Sequence, residues 1–341
     1  MAKQWLFRFE EIGAEHNDLV GKKCANLGEL TRMGLPVPPG FALSLDAYKK
    51  FLSKTNIEQE IRKYIEQNVA GSQSISQWTT TSEAIRQIVE SKHMPEYMAK
   101  AITSQYDELC GKSGVFDMAV SVRSAGVVSH PGQYETHLNV KGRSDLLEKI
   151  IKVWSSSFNP RSLAYRARNG LPLENDPIGI CILGMVNART AGVILTADPN
   201  TGDYSKILCE ANWGLGESVV SGSVTPDSFT LDKESLEILE KKLGQKERCI
   251  SCTEQGVIEE EVPPDKSSNF CLDDREVKEI AKYGRVIEEY FKGIPQDVEW
   301  AISEDLPDVS NIFFLQTRPA IISKKKSTTD QILDLIMSRK L

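Results

Sequence analysis

The sequence predicts an α+β chain in two lobes, helix-rich first and strand-rich second. Residues 45–110 carry apolar residues at helical spacing in four successive stretches. Beyond Ile178 that spacing gives way to short apolar runs separated by turns. The 341 residues suffice for two domains or one bilobal unit, and no internal repeat is present.

In chain order, residues 5–12 read as a short strand ending in a loop. Ala25, Leu27, Leu30 and Met33 give a short helix over Lys23–Met33, which the run Gly34-Leu-Pro-Val-Pro-Pro-Gly40 breaks. Phe41–Ser44 is a strand. Helices follow at Leu45–Phe51, Ile57–Asn68, Thr81–Ser91 and Pro95–Cys110, with Pro95 suited to a first turn and residues 69–80 read as a polar loop. Met118–Arg123 is a β-type run followed by the loop Ser124–Tyr134. Ser144–Trp154 and Arg161–Asn169 are helical. Strands are expected at Ile178–Val186, Ala191–Thr196, Lys206–Glu210, Val219–Gly222, Phe229–Asp232 and Leu236–Lys241. Asp274–Phe291 is an amphipathic helix with Val277, Ile280, Ala281, Ile287 and Tyr290 near one face. Two closing strands end at Pro319. A boundary is expected near residue 190, giving lobes at 1–190 and 191–322. Residues 323–341 read as a basic linker, with Lys324-Lys-Lys326, and a short helix over 329–338.

A net charge of −7 gives a nucleic-acid role no electrostatic support. No apolar run approaches a membrane span. The N-terminus lacks the charged-then-apolar pattern of a secretory signal, so the cytoplasm is expected. Seven scattered cysteines fit reduced thiols. Cys249-Ile-Ser-Cys252 is a lone CxxC; zinc needs a second pair or spaced histidines, and a thiol pair near a strand explains it better. The four histidines form no spaced cluster; His130 alone lies in the loop after Arg123.

The residues suited to chemistry concentrate at the end of the second lobe. Glu299, in Asp297-Val-Glu-Trp300, and Gln316, in Gln316-Thr-Arg-Pro319, offer two oxygens of the kind Mg²⁺ takes beside phosphates. Arg318 lies two residues after Gln316, on the same sheet face. Convergent oxygens and a guanidinium suit phosphoryl transfer, which rests on positioning and charge neutralisation; a salt-bridged pair across a hairpin is the plainer alternative. Gly21-Lys22-Lys23 before a helix can place an ammonium near phosphates, although a surface lysine at a helix start is commoner. Arg123 leaves an apolar strand for a small-residue loop, where a guanidinium needs an anion. Gly132 and Thr136 could cover phosphates there, or form a plain turn. Trp213-Gly-Leu-Gly-Glu217 lacks the third glycine of a dinucleotide fingerprint and reads as structural.

Taken together, these segments resemble the nucleotide-binding domain shared by phosphoenolpyruvate synthase, pyruvate phosphate dikinase and rifampicin phosphotransferase. The resemblance rests on Lys23-Cys-Ala-Asn-Leu-Gly-Glu-Leu30, Gly34–Phe41, Val122-Arg-Ser124, Gly132–Thr136, Arg161–Arg166, Gly192–Pro199, Glu210–Glu217, Val224–Asp227, Asp297–Trp300 and Leu315–Pro319, in order over about residues 10–320. It implies an ATP-grasp fold with Mg-ATP between two lobes. It also implies cleavage of ATP to AMP and phosphate, with the β-phosphoryl passing to a histidine on a swivelling domain. By motif, Lys23 and Arg123 would grip phosphates, with Gly132 and Thr136 in the covering loop. Glu299 and Gln316 would bind Mg²⁺, and Arg318 would stabilise the transferring group.

Three departures stand out. The loop after Arg123 is short and lacks the family's acidic stretch. Leu183 replaces a glutamine on the adenine side, leaving backbone contacts at Met185 and Val186. Lys22 replaces a second glycine. Neither the Ser-His acceptor motif nor a pyruvate-binding barrel occurs in this sequence. Acceptance is therefore expected on a partner subunit or domain carrying the histidine, with a final small-molecule acceptor of the phenol or pyruvate class. In domain content the chain most resembles the ATP-binding subunit of phenylphosphate synthase. Alternatives are a split phosphoenolpyruvate synthase, an antibiotic phosphotransferase, a segment of a longer enzyme, or a regulatory nucleotide-binding module without transfer chemistry.

Overall fold

The computed structural model describes residues 4–69, 73–127, 134–254, 256–306 and 311–322. The chain is α+β and divides into two compact units, Met1–Val186 with Cys252–Val257, and Asn187–Ser251 with Ile258–Leu341. The units part at the turn before a strand over Ala188–Leu195, so a cut after residue 190 would fall inside that strand. The expected segment 323–341, His130 and Gly132 lie outside the described residues.

In the first unit the elements are β1 (Leu6–Arg8), α1 (Asn17–Val20), α2 (Lys22–Arg32), β2 (Gly40–Leu43), α3 (Leu45–Thr55), α4 (Ile57–Asn68), α5 (Ile75–Glu90), α6 (Glu96–Ser113), β3 (Val120–Ala125), β4 (Thr136–Val140), α7 (Gly142–Ser155), α8 (Pro160–Arg168) and β5 (Gly179–Gly184). The five strands form an antiparallel sheet in the order β1-β2-β5-β3-β4. Strand alternation sends Phe41, Leu43, Val120, Val122, Ile180 and Ile182 into a core shared with the helices from α3 to α8. Trp154 is fully buried there, stacked on Phe51 at 5.0 Å and edge-on to Tyr48 at 5.8 Å.

α5 begins inside the stretch expected to be a loop. Ser74 and Gln77 form a capping box: Gln77 N–H donates to Ser74 Oγ at 3.3 Å and Ser74 N–H to Gln77 Oε1 at 2.8 Å. Two helix-start donors are satisfied within a largely polar run, so the helix starts a turn ahead of its first buried residue, Trp78.

The second unit contains β6 (Ala188–Leu195), β7 (Lys206–Trp213), α9 (Glu217–Val220), β8 (Asp227–Asp232), β9 (Ile238–Lys242), α10 (Pro264–Ser267), α11 (Asp274–Tyr290), β12 (Gln296–Ser303) and β13 (Ile312–Pro319). Between β9 and α10 runs a two-stranded ribbon of β10 (Arg248–Thr253) and β11 (Gly256–Glu261). The main sheet is antiparallel in the order β13-β12-β6-β7-β8-β9. α11, with a capping box of Asp273 and Glu276, carries the buried stripe Val277, Ile280, Ala281, Gly284 and Ile287. The stripe covers one face of the sheet, where Ile194, Cys209, Val298, Trp300 and Phe314 are fully buried. Tyr290 is exposed, off the stripe the sequence assigned it.

The expected strand at Val219–Gly222 is instead the single helical turn α9. Val219 and Val220 N–H groups return to Gly216 O at 3.1 and 3.0 Å, and the strands before and after the segment, β7 and β8, pair directly with each other, so it only connects them.

Candidate functional site

The face of the second unit's sheet opposite α11 gathers the polar residues. β12 pairs with β13 so that Glu299 sits opposite Gln316 and Asp297 opposite Arg318. Gln316 Nε2 donates to Glu299 Oε1 at 3.0 Å. Arg318 directs two donors at one carboxylate oxygen, Asp297 Oδ2, from Nε at 2.8 Å and Nη2 at 2.7 Å. The sequence-singled trio Glu299, Gln316 and Arg318 therefore shares one face of one strand pair.

Two further carboxylates join that face. Asp297 is one; its parity with Glu299, two residues on, was the available signal. Glu210 on β7 is the other. It lines up with Glu299 through Val193 of β6, since Glu299 pairs with Val193 and Val193 with Glu210. Burial pushes the Glu210 carboxyl above its ordinary range, and the charge of Asp297 adds to that. Burial also raises Asp297, outweighing the opposing pull of Arg318, and Glu299 raises it further. The face thus concentrates negative charge in a partly dehydrated place.

A divalent cation would relieve that charge, and the carboxylate and amide oxygens of Glu299 and Gln316 are hard donors of the kind Mg²⁺ takes. Among the described residues, no three His, Cys, Asp or Glu side chains are grouped so as to hold a metal by themselves. A cation here would therefore draw on the amide oxygen and on ligand oxygens as well.

In the first unit, Lys23 and Arg123 come together around a buried thiol pair. Gly21 makes this possible. Its φ of 81° and ψ of 154° belong to a region essentially reserved for glycine. A Cβ there would lie 2.1 Å from Ala125 O, so α2 starts directly against the end of β3. Lys22 N–H closes the junction on Gly126 O at 2.9 Å. Cys24, the residue after Lys23, directs its thiol at Ile180 O at 3.6 Å. Arg123 is the register partner of both Cys181 on β5 and Thr136 on β4. Burial pushes the Cys24 thiol up. A hydrogen bond with Cys24, helped by the charges of Arg123 and Lys23, holds Cys181 lower. Both cations thus act on one spot, with Thr136 exposed beside Arg123.

Other expected site residues stand apart. Met185 N–H donates to Ala119 O at 2.9 Å, so this amide is engaged within the protein. Val186 is buried. Leu183 is buried within β5. Gly214, with φ of 71°, abuts Ile250 O, which accepts from Leu215 N at 2.8 Å; the Trp213–Glu217 run is a structural joint. Cys249 and Cys252 lie on β10 three residues apart, so their side chains leave opposite faces. Burial raises both thiols. Among the described residues, no helix is long and apolar enough to cross a membrane.

Comparison with known proteins matches residues 17–338 to the pyruvate phosphate dikinase AMP/ATP-binding domain. The chain is 36% identical to a probable phosphoenolpyruvate synthase of Methanothermobacter thermautotrophicus, covering 91% of this chain and 45% of that protein. It is 36% identical to one of Methanocaldococcus jannaschii, covering 94% and 27%. It is 34% identical to the phosphoenolpyruvate synthase of Aeropyrum pernix, covering 97% and 44%. It therefore spans less than half the length of these curated relatives. On the strength of a match over nearly its whole length, the chain belongs to the pyruvate phosphate dikinase AMP/ATP-binding domain family.

Proposed function

We propose that this chain is the nucleotide-binding part of an ATP-dependent phosphotransferase with an ATP-grasp fold. It binds Mg-ATP, splits it to AMP and phosphate, and passes the β-phosphoryl group to a histidine on a partner subunit or domain. The observation that carries this reading is the polar face of β12 and β13, where Glu299, Gln316, Asp297 and Arg318 meet in register. Glu299 and Gln316 hold the Mg²⁺, which when bound neutralises phosphate charge. Arg318, oriented by Asp297, meets the transferring phosphoryl group, where a fixed guanidinium is most useful. Within the first unit we assign phosphate contacts to Lys23 and Arg123, with the hydroxyl of Thr136, on β4 beside Arg123, as a further donor.

The names of the relatives support pyruvate as the class of final acceptor, ahead of the phenol of a phenylphosphate synthase. That acceptor binds on the partner, and the cytoplasm is the compartment we assign. Incubating the purified chain with β-labelled ATP, alone and with extract of the source cells, tests the reading. Acid-labile label on a histidine of another polypeptide is expected. Measurable ATP binding with no label on any protein would refute transfer and leave a regulatory nucleotide-binding module.

A further inference from the structure

Glu210 is absorbed by none of the roles above. It projects from β7 onto the same face as Glu299, two strands away across Val193. At the usual strand spacing this puts the two Cα atoms about 10 Å apart. No hydrogen bond or ion pair reaches its carboxyl group from the described residues, and Asp297 is the one charge that acts on it. Its register neighbours are Val193 on one side and Ser228 on the other. Its oxygens are not among the sealed, unpartnered atoms, so in the absence of ligand water meets them, and a bound nucleotide that displaces that water must supply donors in its place.

We propose that Glu210 is a specificity-determining residue of this site, accepting hydrogen bonds from the ribose hydroxyls of the bound nucleotide. This rests on the Mg-ATP reading above. A carboxylate offers acceptors only. ATP's phosphates also offer acceptors only and repel it. The donors ATP carries are its two ribose hydroxyls and the adenine amino group. The phosphate end is assigned to Glu299, Gln316 and Arg318. Two strands away lies within reach of the sugar of a nucleotide anchored there, and short of the far edge of its base. Desolvation strengthens the contact, because a hydrogen bond to a charged acceptor is worth more away from water.

The test is isothermal titration of the full chain with Mg-ATP, 2′-deoxy-ATP, 3′-deoxy-ATP and inosine triphosphate, repeated on Glu210→Ala. The wild type should bind ATP roughly tenfold or more tightly than at least one deoxynucleotide, the worth of one charged hydrogen bond. Glu210→Ala should weaken ATP by that factor, leave that deoxynucleotide unchanged, and so erase the discrimination. Equal weakening of all nucleotides, or discrimination that survives, would overturn the proposal. Loss of the preference for ATP over inosine triphosphate, with ribose discrimination intact, would also overturn it by moving the contact to the base. Absence of nucleotide binding in the folded wild type would refute the Mg-ATP reading itself. If Glu210→Ala does not fold, the isosteric Glu210→Gln gives the same comparison, with a partial loss of discrimination expected.

Discussion

Replacing Lys246 with methionine should destabilise the second unit strongly. Lys246 and Asp227 form an ion pair with neither side chain exposed to solvent. Lys246 Nζ donates to Asp227 Oδ1 at 2.6 Å and to Gly244 O at 3.0 Å. The remaining capacity of Asp227 is used by Gly244 N–H on Oδ1 and Cys271 N–H on Oδ2, both at 2.8 Å. The pair ties the start of β8 to the segments leading into β10 and α11. Methionine keeps the unbranched stem and removes the charge, leaving a buried carboxylate with two amide donors and no countercharge. Breaking a buried pair in this way costs about 3–5 kcal/mol. For a unit of roughly 150 residues each kcal/mol shifts Tm by about 2–4 °C, so a fall of roughly 6–20 °C follows. Thermal unfolding followed by near-UV circular dichroism at neutral pH measures it. A fall under roughly 2 °C would mean that water reaches Asp227 in the native state, and the argument from burial would be wrong.

Arg318→Ala should abolish phosphoryl transfer in the label assay. Contrary to a purely catalytic role, it should also lower stability by about 1.5–3 kcal/mol, because Asp297 loses both of its guanidinium bonds; Arg318→Lys should recover much of the stability and little of the transfer. Gly21→Ala puts a Cβ 2.1 Å from Ala125 O in a glycine-only backbone region, costing about 3 kcal/mol or more. Its Tm should fall and its ATP affinity should drop with the displaced Lys23; unchanged calorimetry would sink that account. Glu210→Gln should raise Tm at neutral pH. A carboxyl whose folded pKa lies above its ordinary 4.5 binds more protons folded than unfolded, so its cost appears as pH rises through that range. The gap between variant and wild type should therefore close below about pH 4.5, and a gap independent of pH would contradict the assignment.

Elements with strong local signals were legible in the sequence. α4 and α11 declare themselves through apolar spacing over three or more turns, and the proline-glycine run at 34–40 marks the entry to β2. Elements that depend on partners were not. β4 is short and largely polar, and exists because β3 offers it an edge. β11 is mostly exposed and is defined by its pairing with β10. α9 consists of residues with strand-like character, and the context around it decided its state. At the site, Lys23 and Arg123 could be named singly. Their convergence on Cys24 and Cys181 required the approach of α2 to β3 at Gly21.

The closing strand shows why face assignments from spacing alone stop short. Phe314 and Gln316 are two residues apart, so a regular strand would point both to one side. Phe314 is fully buried on the α11 side, 5.1 Å from the ring of Tyr283, whereas Gln316 meets Glu299 on the polar side. The register resolves this. Glu299 pairs with Gln316 and the next residue, Trp300, with Phe314, so Leu315 is the extra residue of a bulge. Without it, either Phe314 would leave the core or Gln316 would turn into it. A bulge on an edge strand costs little pairing, because only one side of β13 carries a ladder. The same irregularity gives the preceding half of the strand to packing and places Gln316 and Arg318, in the following half, against Glu299 and Asp297 on the polar face.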